Sequence, residues 1–264
     1  MGIMHPQVEK LLKLPQYEQR SPEWYAARKG KLTASDVPTV LGENHYKSPF
    51  QLHLDKLGMG KPFTGNEATR WGQHYEDIAI AKYEQVYNKK NHEFGLIPHP
   101  TIPWLGGSPD GITEDGILLE VKCPLRRQIK MGEVPQHYIG QVLMNLEVCE
   151  LETAHFIEYK PGDSDDDYIM NVVEIKRDPE WWKRSLPIMQ KWHEDWMLYK
   201  EEGIEKHPQW TKYYNQQQTA KKNREIKDKG TILNFLPEEQ QANIMANDWY
   251  KKKNEWKSTP QFLN

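Results

Sequence analysis

The chain has 264 residues, of which 37% are hydrophobic and 28% are charged, and its formal net charge is −3. This length and composition predict a globular protein with one domain and an appendage. No apolar run reaches the length of a membrane span, so we expect no membrane-bound role. The two cysteines are too few for a disulfide framework and are not spaced like zinc or iron–sulfur ligands, which favours an intracellular setting.

Charge is unevenly distributed along the chain. From Gly203 onward there are 11 basic and 7 acidic residues, so residues 1–202 are acidic overall. A nucleic-acid-binding role would therefore depend on local basic surface rather than on a global positive field. Candidate basic groups lie in two short stretches, namely Arg28, Lys29 and Lys31, then Lys122, Arg126, Arg127 and Lys130.

Capping residues and helical periodicity predict four helices in the first third of the chain. A serine, threonine or asparagine at the N-cap position, often followed by proline, is typical of a helix N-terminus. The four predicted helices begin at Ser21, Thr33, Ser48 and Ala68. The second is expected to stop at Gly42, the third at Gly58 and the fourth at Tyr87.

Apolar runs and alternation predict five strands farther along the chain, over residues 94–97, 106–113, 117–122, 154–159 and 168–175. Two further helices are predicted over residues 136–149 and 180–200, the second with a kink at Pro187. The predicted fold class is α/β (α+β), with a small mixed β-sheet flanked by helices and a C-terminal helical extension.

The residues from 203 to 264 combine basic and aromatic side chains with little pattern. They could form a helical brace against the rest of the chain, bind DNA through interleaved lysines and aromatics, or form a partly disordered interaction tail. The need to bury the aromatic side chains favours the brace.

The segment from Ser108 to Lys122, S-P-D-G-I-T-E-D-G-I-L-L-E-V-K, is predicted to form a β-hairpin. A three-residue loop ending in Gly116 would place Asp110 directly opposite Glu120, with Lys122 on the same face. A two-residue turn would slip the register by one and separate the two carboxylates. The odd-length loop is therefore a condition for any chemistry that these residues share.

Two carboxylates and a lysine on one face suit metal-assisted phosphodiester hydrolysis. Mg²⁺ prefers carboxylate oxygens and keeps several waters, and it lowers the pKa of a bound water that a neighbouring lysine can orient. The alternative is an ordinary surface hairpin with solvated charges.

Five sequence blocks in a fixed order extend the argument beyond the hairpin. They are W-Y-A-A-R-K-G-K-L-T-A-S (24–35), W-G-Q-H-Y-E (71–76), G-S-P-D-G (107–111), L-E-V-K-C-P (119–124) and Y-I-G-Q (138–141). Together they resemble the PD-(D/E)xK nuclease superfamily, and more closely its lambda-type viral recombinase exonucleases, the YqaJ-like family. The resemblance covers roughly residues 20–180.

The resemblance implies a restriction-endonuclease-like core in a nuclease domain over residues 1–202, with residues 203–264 as an extension. The implied activity is degradation of double-stranded DNA from 5′ ends, with Mg²⁺ as cofactor and Mn²⁺ as a possible substitute. Implied partners are DNA ends, a single-strand annealing protein and further copies of the chain in a homotrimer. A viral or phage origin, in the cytoplasm of a host cell, follows from the same resemblance.

The resemblance also implies roles for individual residues. Catalytic residues would be Asp110, Glu120, Lys122, Glu76 and Gln141, with the metal held by Asp110, Glu120, the Val121 carbonyl and Glu76. The terminal 5′ phosphate would bind to Arg28, Ser35 and Ser108, and Trp24 would wedge or stack at the DNA end. Two alternatives stay open, namely an endonuclease of restriction or repair type and a non-catalytic DNA-binding assembly protein.

Overall fold

The computed structural model describes residues 4–60 and 64–233. The chain divides into two compact units, residues 1–203 and residues 204–264. None of the helices in the described part of the chain is long and apolar enough to cross a membrane. The functional roles predicted for the two parts of the chain stay predictions.

The described part of the first unit contains seven α-helices, and several begin at residues that the sequence marks as caps. Ser21 accepts a hydrogen bond from the Trp24 amide at the start of the second helix, and Ser48 forms a capping box with Gln51 at the start of the fourth. The helices are α1 Pro6–Leu12, α2 Pro22–Arg28, α3 Val37–Val40, α4 Pro49–Lys56, α5 Glu67–Tyr87, α6 Gln136–Cys149 and α7 Pro179–Glu202.

Eight strands form two mixed sheets. The strands are β1 Leu32–Thr33, β2 Asn91–His92, β3 Ile97–Pro98, β4 Leu105–Gly107, β5 Gly111–Thr113, β6 Ile117–Lys122, β7 Thr153–Pro161 and β8 Tyr168–Lys176. Five strands pair in the order β2-β5-β6-β7-β8, and three pair in the order β1-β4-β3. β6 is central to the larger sheet, antiparallel to β5 and parallel to β7.

The structure corrects two predicted strands. The strand expected over residues 106–113 is divided between β4 and β5, which belong to different sheets. Pro109, which has no amide hydrogen for a strand ladder, lies in the interruption between them. The strand expected over residues 94–97 coincides with β3 only at Ile97.

The core lies on both faces of the larger sheet. On one face, Leu118 and Ile112 pack in a cluster with residues of α6 such as Val142 and Leu146. On the other face, Leu119 and Val121 pack in a second cluster against residues of α5. The alternation of β6 therefore directs Glu120 and Lys122 towards the α6 side of the sheet.

The described part of the second unit is helical. A short 3₁₀ turn, Ile204–Lys206, precedes α8, Trp210–Leu233. Trp210 contacts the rings of Tyr213 and Tyr214 within this unit. Phe235 and Trp249, which the sequence analysis counted among the aromatics of the extension, lie outside the described residues.

A substitution at Gly116 tests how far the hairpin loop depends on glycine. Gly116 has φ +87°, and an added Cβ would lie 2.8 Å from the His5 ring. Gly132, the control, has φ +77° and nothing within 4 Å of the same position. Gly132→Ala should cost about 1–2 kcal/mol of stability from backbone strain alone. Gly116→Ala should cost about 1–3 kcal/mol more, because the His5 ring must move.

Chemical denaturation followed by circular dichroism measures both changes. Equal losses of unfolding free energy in the two variants would contradict a close approach of the His5 ring to Gly116.

Candidate active site

The hairpin register is the one that the three-residue loop predicts. Gly111 lies opposite Leu119 and Ile112 opposite Leu118, which places Asp110 opposite Glu120. Gly116 adopts the left-handed conformation that ends such a loop. The prediction of an odd-length loop is confirmed.

Glu120 is completely buried, and every hydrogen bond to its carboxylate comes from a polar side chain. Lys122 Nζ lies 2.5 Å from Oε1, and Gln141 Nε2 also donates to Oε1. Asn145 Nδ2 donates to Oε2 over 3.1 Å. Burial raises the pKa of Glu120 to about 7, against the lowering effect of Lys122. α6 supplies both amides, so it fixes the orientation of this carboxylate.

Asp110 lies at the start of β5, beside the end of β6. Its Oδ2 accepts a hydrogen bond of 2.7 Å from the Val121 amide. Burial raises the pKa of Asp110, although Lys122 and the Val121 amide act in the opposite direction. The main chain of β6 thus orients one carboxylate of the site, and side chains of α6 orient the other.

Glu76 on α5 is held by an arginine that the sequence analysis did not select. Arg20 Nη2 lies 3.1 Å from Oε1 and 3.0 Å from Oε2 of Glu76. Burial and the nearby Asp110 together raise the pKa of Glu76 to about 7, although Arg20 acts in the opposite direction. Arg20 has φ +70°, a conformation uncommon for residues other than glycine and found repeatedly at functional sites.

Lys122 keeps its charge in this arrangement. Burial lowers its pKa, but the neighbouring Glu120 and Asp110 more than reverse the effect, so the pKa lies above its usual value. The ammonium nitrogen also lies 5.5 Å from the centroid of the Tyr138 ring.

An open cleft of about 400 Å³ lies beside these residues, between α5 and the end of β6. Glu76, Val121 and Lys122 line it, together with Tyr138 of α6. Its size falls within the usual range for a small-molecule site.

The donor set suits a hard divalent cation. Within residues 4–60 and 64–233, no three His, Cys, Asp or Glu side chains form a group that could hold a metal ion. A cation here would depend on the two opposed carboxylates, a main-chain carbonyl and water, which is the kind of set that Mg²⁺ accepts. The raised pKa values of Asp110 and Glu120 mean that a cation would stabilise their ionised forms.

The structure brings together the three residues expected to bind a 5′ phosphate. Arg28 Nη1 donates to Ser108 Oγ over 3.0 Å, and Nη2 donates to Ser35 Oγ over 3.2 Å. The same Nη2 donates to Thr33 Oγ1 over 3.0 Å. An arginine surrounded by hydroxyl groups, rather than neutralised by a carboxylate contact, is suited to receive an anion.

A largely buried ion pair supports this cluster. Asp36 Oδ2 accepts hydrogen bonds from the Thr33 amide and hydroxyl and lies 2.7 Å from Lys56 Nζ. Burial raises the pKa of Asp36, but Lys56 and the Thr33 hydrogen bonds outweigh it, so the pKa is lowered. Burial lowers the pKa of Arg28, while Asp36 partly compensates.

Trp24 lies against the same arginine. The guanidinium carbon of Arg28 is 4.2 Å from the centroid of the Trp24 ring, a cation–π contact. The indole nitrogen of Trp24 is buried without a hydrogen-bond partner among the described residues. The role of Trp24 as a wedge stays a prediction, because its contacts within the chain also suit a structural residue.

The structure adds four residues to the site that the sequence analysis missed, namely Arg20, Asn145, Asp36 and Lys56. The helix start predicted at Thr33 includes Asp36 in its first turn, but it does not indicate the pairing of Asp36 with Lys56. Asn145 falls four residues after Gln141, and this helical spacing is the signal that could have identified it. No local signal marks Arg20 or Lys56.

The fold is similar to that of a nuclease of known structure. Its structure resembles that of an alkaline exonuclease from Laribacter hongkongensis with a TM-score of 0.55 and 29% sequence identity. The similarity covers 76% of this chain and 99% of that one, and the same exonuclease has been solved in complex with dAMP. The predicted nuclease fold class is therefore confirmed.

Residues 23–152 match the model of the YqaJ-like viral recombinase domain. An uncharacterized protein of Acanthamoeba polyphaga mimivirus is 34% identical over 175 residues, which are 60% of this chain and 32% of that protein. The uncharacterized protein YqaJ of Bacillus subtilis is 30% identical over 62% of this chain and 52% of its own length. The chain thus spans about a third to a half of these curated relatives.

Replacing Asp36 tests the support of the arginine pocket. Asp36→Asn should lower the unfolding free energy by roughly 2–3 kcal/mol at neutral pH, because Lys56 loses its buried partner. The folded-state pKa of Asp36 lies below its ordinary value, so the ionised carboxylate stabilises the fold above about pH 4. The difference from the original protein should therefore shrink as the pH falls through the lowered pKa.

Glu133→Gln is the matched control for Asp36→Asn, since the ion pair between Glu133 and Lys130 is exposed and should contribute less than about 1 kcal/mol. Urea denaturation at several pH values measures both variants. A difference for Asp36→Asn that stays constant with pH would contradict the assignment.

Proposed function

We propose that the protein is a deoxyribonuclease that degrades linear double-stranded DNA from 5′ ends in a Mg²⁺-dependent reaction. The observation that carries this proposal is the convergence of Asp110, Glu120 and Lys122 on one face of the hairpin. The match of residues 23–152 to the YqaJ-like viral recombinase domain supports it. The resulting single strand would be the substrate of annealing-type homologous recombination.

Asp110, Glu120 and the Val121 carbonyl would hold the Mg²⁺ ion, for which Mn²⁺ could substitute. Glu76 would add a ligand or bind a water of the ion. When bound, the metal would supply Lewis-acid stabilisation of the phosphate and a more acidic water.

The residues of the chain itself prepare this site. Gln141 and Asn145 fix both oxygens of Glu120, and Arg20 fixes those of Glu76, so little reorganisation is needed on binding. Lys122 would orient the attacking water by donating a hydrogen bond to it, because its nitrogen keeps its charge and is held in place by Glu120.

The 5′ polarity would come from the pocket of Arg28, Ser35 and Ser108. A terminal phosphate carries more negative charge than an internal diester, so a preformed guanidinium–hydroxyl pocket favours a chain end. Ser108 is two residues from Asp110, so one short segment joins the pocket to the first carboxylate. Trp24, which stacks on Arg28, would contact the DNA end.

The wider context of the activity is proposed from the family. A single-strand annealing protein would receive the resected strand, and copies of the chain would assemble as a homotrimer around DNA. Relatives from mimivirus and from African swine fever virus support a viral setting, in the cytoplasm of a host cell.

Conservative substitutions test the catalytic assignment. Asp110→Asn and Glu120→Gln should each lower the cleavage rate of linear duplex by at least about 10²–10⁴-fold, because a hard cation loses an anionic ligand. Lys122→Ala should remove most turnover while Mg²⁺ binding persists. The measurements are cleavage rates with and without Mg²⁺, and calorimetric titration of Mg²⁺ binding.

Glu133→Gln, an exposed site outside the cleft, is the control for these variants. Near-normal cleavage by either carboxylate variant would disprove the assignment. Cleavage of closed circular DNA at the rate of linear DNA would favour an endonuclease, and DNA binding without any cleavage would favour the assembly protein.

The second test concerns the phosphate pocket. Arg28→Ala should slow digestion of 5′-phosphorylated duplex by about 10–100-fold and abolish the preference over 5′-hydroxyl ends, because a charge-assisted contact is lost. General DNA binding depends on many phosphate contacts and should change little. Digestion rates on the two kinds of end measure the effect, with Lys29→Ala as the control. A preference retained in Arg28→Ala would refute the pocket.

A further inference from the structure

Gly72 occupies an unexpected position for a glycine. It lies in the interior of α5, where glycine destabilises a helix relative to alanine. Apart from its chain neighbours and the backbone of its own helix, no atom of the described residues lies within 4 Å of where a Cβ would be. Packing among the described residues therefore gives no reason for the missing side chain.

The other glycine inside a helix of the first unit gives the contrast. At Gly140 in α6, an added Cβ would lie 3.3 Å from Glu43 Oε2 and 3.6 Å from Val37 Cγ1. Close approach of neighbouring side chains accounts for that glycine. Gly72 instead leaves space on the side of α5 that faces the cleft.

The surroundings of this space indicate what could fill it. Ala68 and Thr69 line the cleft one turn before Gly72, and Glu76 lines it one turn after. Gln73 also lines the cleft, so this face of α5 has small side chains up to Gly72, and then Gln73 and the carboxylate. Across the cleft lie Leu125 and the ring of Tyr138.

We propose that Gly72 is a substrate-binding position at which the main chain of α5 contacts the deoxyribonucleotide next to the phosphate being cleaved. Its sugar and base would lie between the bare helix surface and the wall formed by Leu125 and Tyr138. A cleft that is apolar here and charged at Glu76 and Lys122 matches a nucleotide, which has a flat apolar part and an anionic group. This inference rests on the proposed function, because the carboxylates and Lys122 define where the phosphate lies.

The test adds a single methyl group. Gly72→Ala should raise the melting temperature by about 2–4 °C, because alanine favours the helix and the methyl meets no neighbour. The same variant should bind a short 5′-phosphorylated DNA duplex at least about 10-fold more weakly. Binding is measured by fluorescence anisotropy with Ca²⁺ in place of Mg²⁺, and kcat/KM is measured separately with Mg²⁺.

Val86→Ala is the matched control. Val86 also lies on α5 and is 56% exposed, and alanine there gains helix propensity far from the cleft residues in sequence. This variant should raise the melting temperature and leave DNA affinity and kcat/KM unchanged.

The results of this experiment distinguish failure of the inference from failure of the proposed function. A Gly72→Ala protein that is stabilised yet binds and cleaves DNA like the original would overturn the inference. A lowered melting temperature would also overturn it, because the glycine would then serve packing within the chain. If the original protein binds DNA but does not cleave it, the proposed nuclease fails, and a selective loss of affinity in Gly72→Ala would still support the contact.

Discussion

Burial of the Glu120 carboxylate in the centre of the larger sheet is a constraint on every element around it. A buried charge costs several kcal/mol unless it is paired and hydrogen-bonded. Lys122 supplies the charge from the same strand, and Gln141 and Asn145 supply two amide donors from α6. The crossover from β6 through α6 to the parallel strand β7 brings those donors over the strand. Burying this carboxylate therefore lowers the stability of the fold. The arrangement of the described residues around it suits a role in catalysis rather than in packing.

Local patterns determined the parts of the fold that the sequence predicts well. The bounds of β6 and α6 agree with the prediction because each has a clear period and ends at turn or capping residues. The hairpin register also depends only on neighbouring residues, since a loop ending in Gly116 fixes which side chains are opposed. The amino-acid sequence alone is therefore enough to place Asp110 and Glu120 together.

The remaining features depend on contacts between distant residues. Arg20 binds Glu76 across 56 positions, and nothing in the Q-R-S-P sequence around Arg20 indicates that partner. In the sequence, Lys56 has the features of any basic residue in the last turn of a helix. In the structure, it pairs with the Asp36 carboxylate next to the arginine cluster. The division of residues 106–113 between two sheets was missed because only tertiary pairing shows that β4 joins β1.

The interruption between β4 and β5 has a mechanical consequence. Ser108 and Asp110 are separated by one proline, whose ring restricts the backbone, and each end of this tripeptide is held by hydrogen bonds to Arg28 or Val121. The span between the two side chains is at most about 7 Å of main chain and has little freedom to vary. Under the proposed function, this tripeptide would fix the distance between the phosphate pocket and the first carboxylate of the metal site. It would set how far inside the chain end each cut falls, so that every cycle removes a piece of the same length whatever the base sequence.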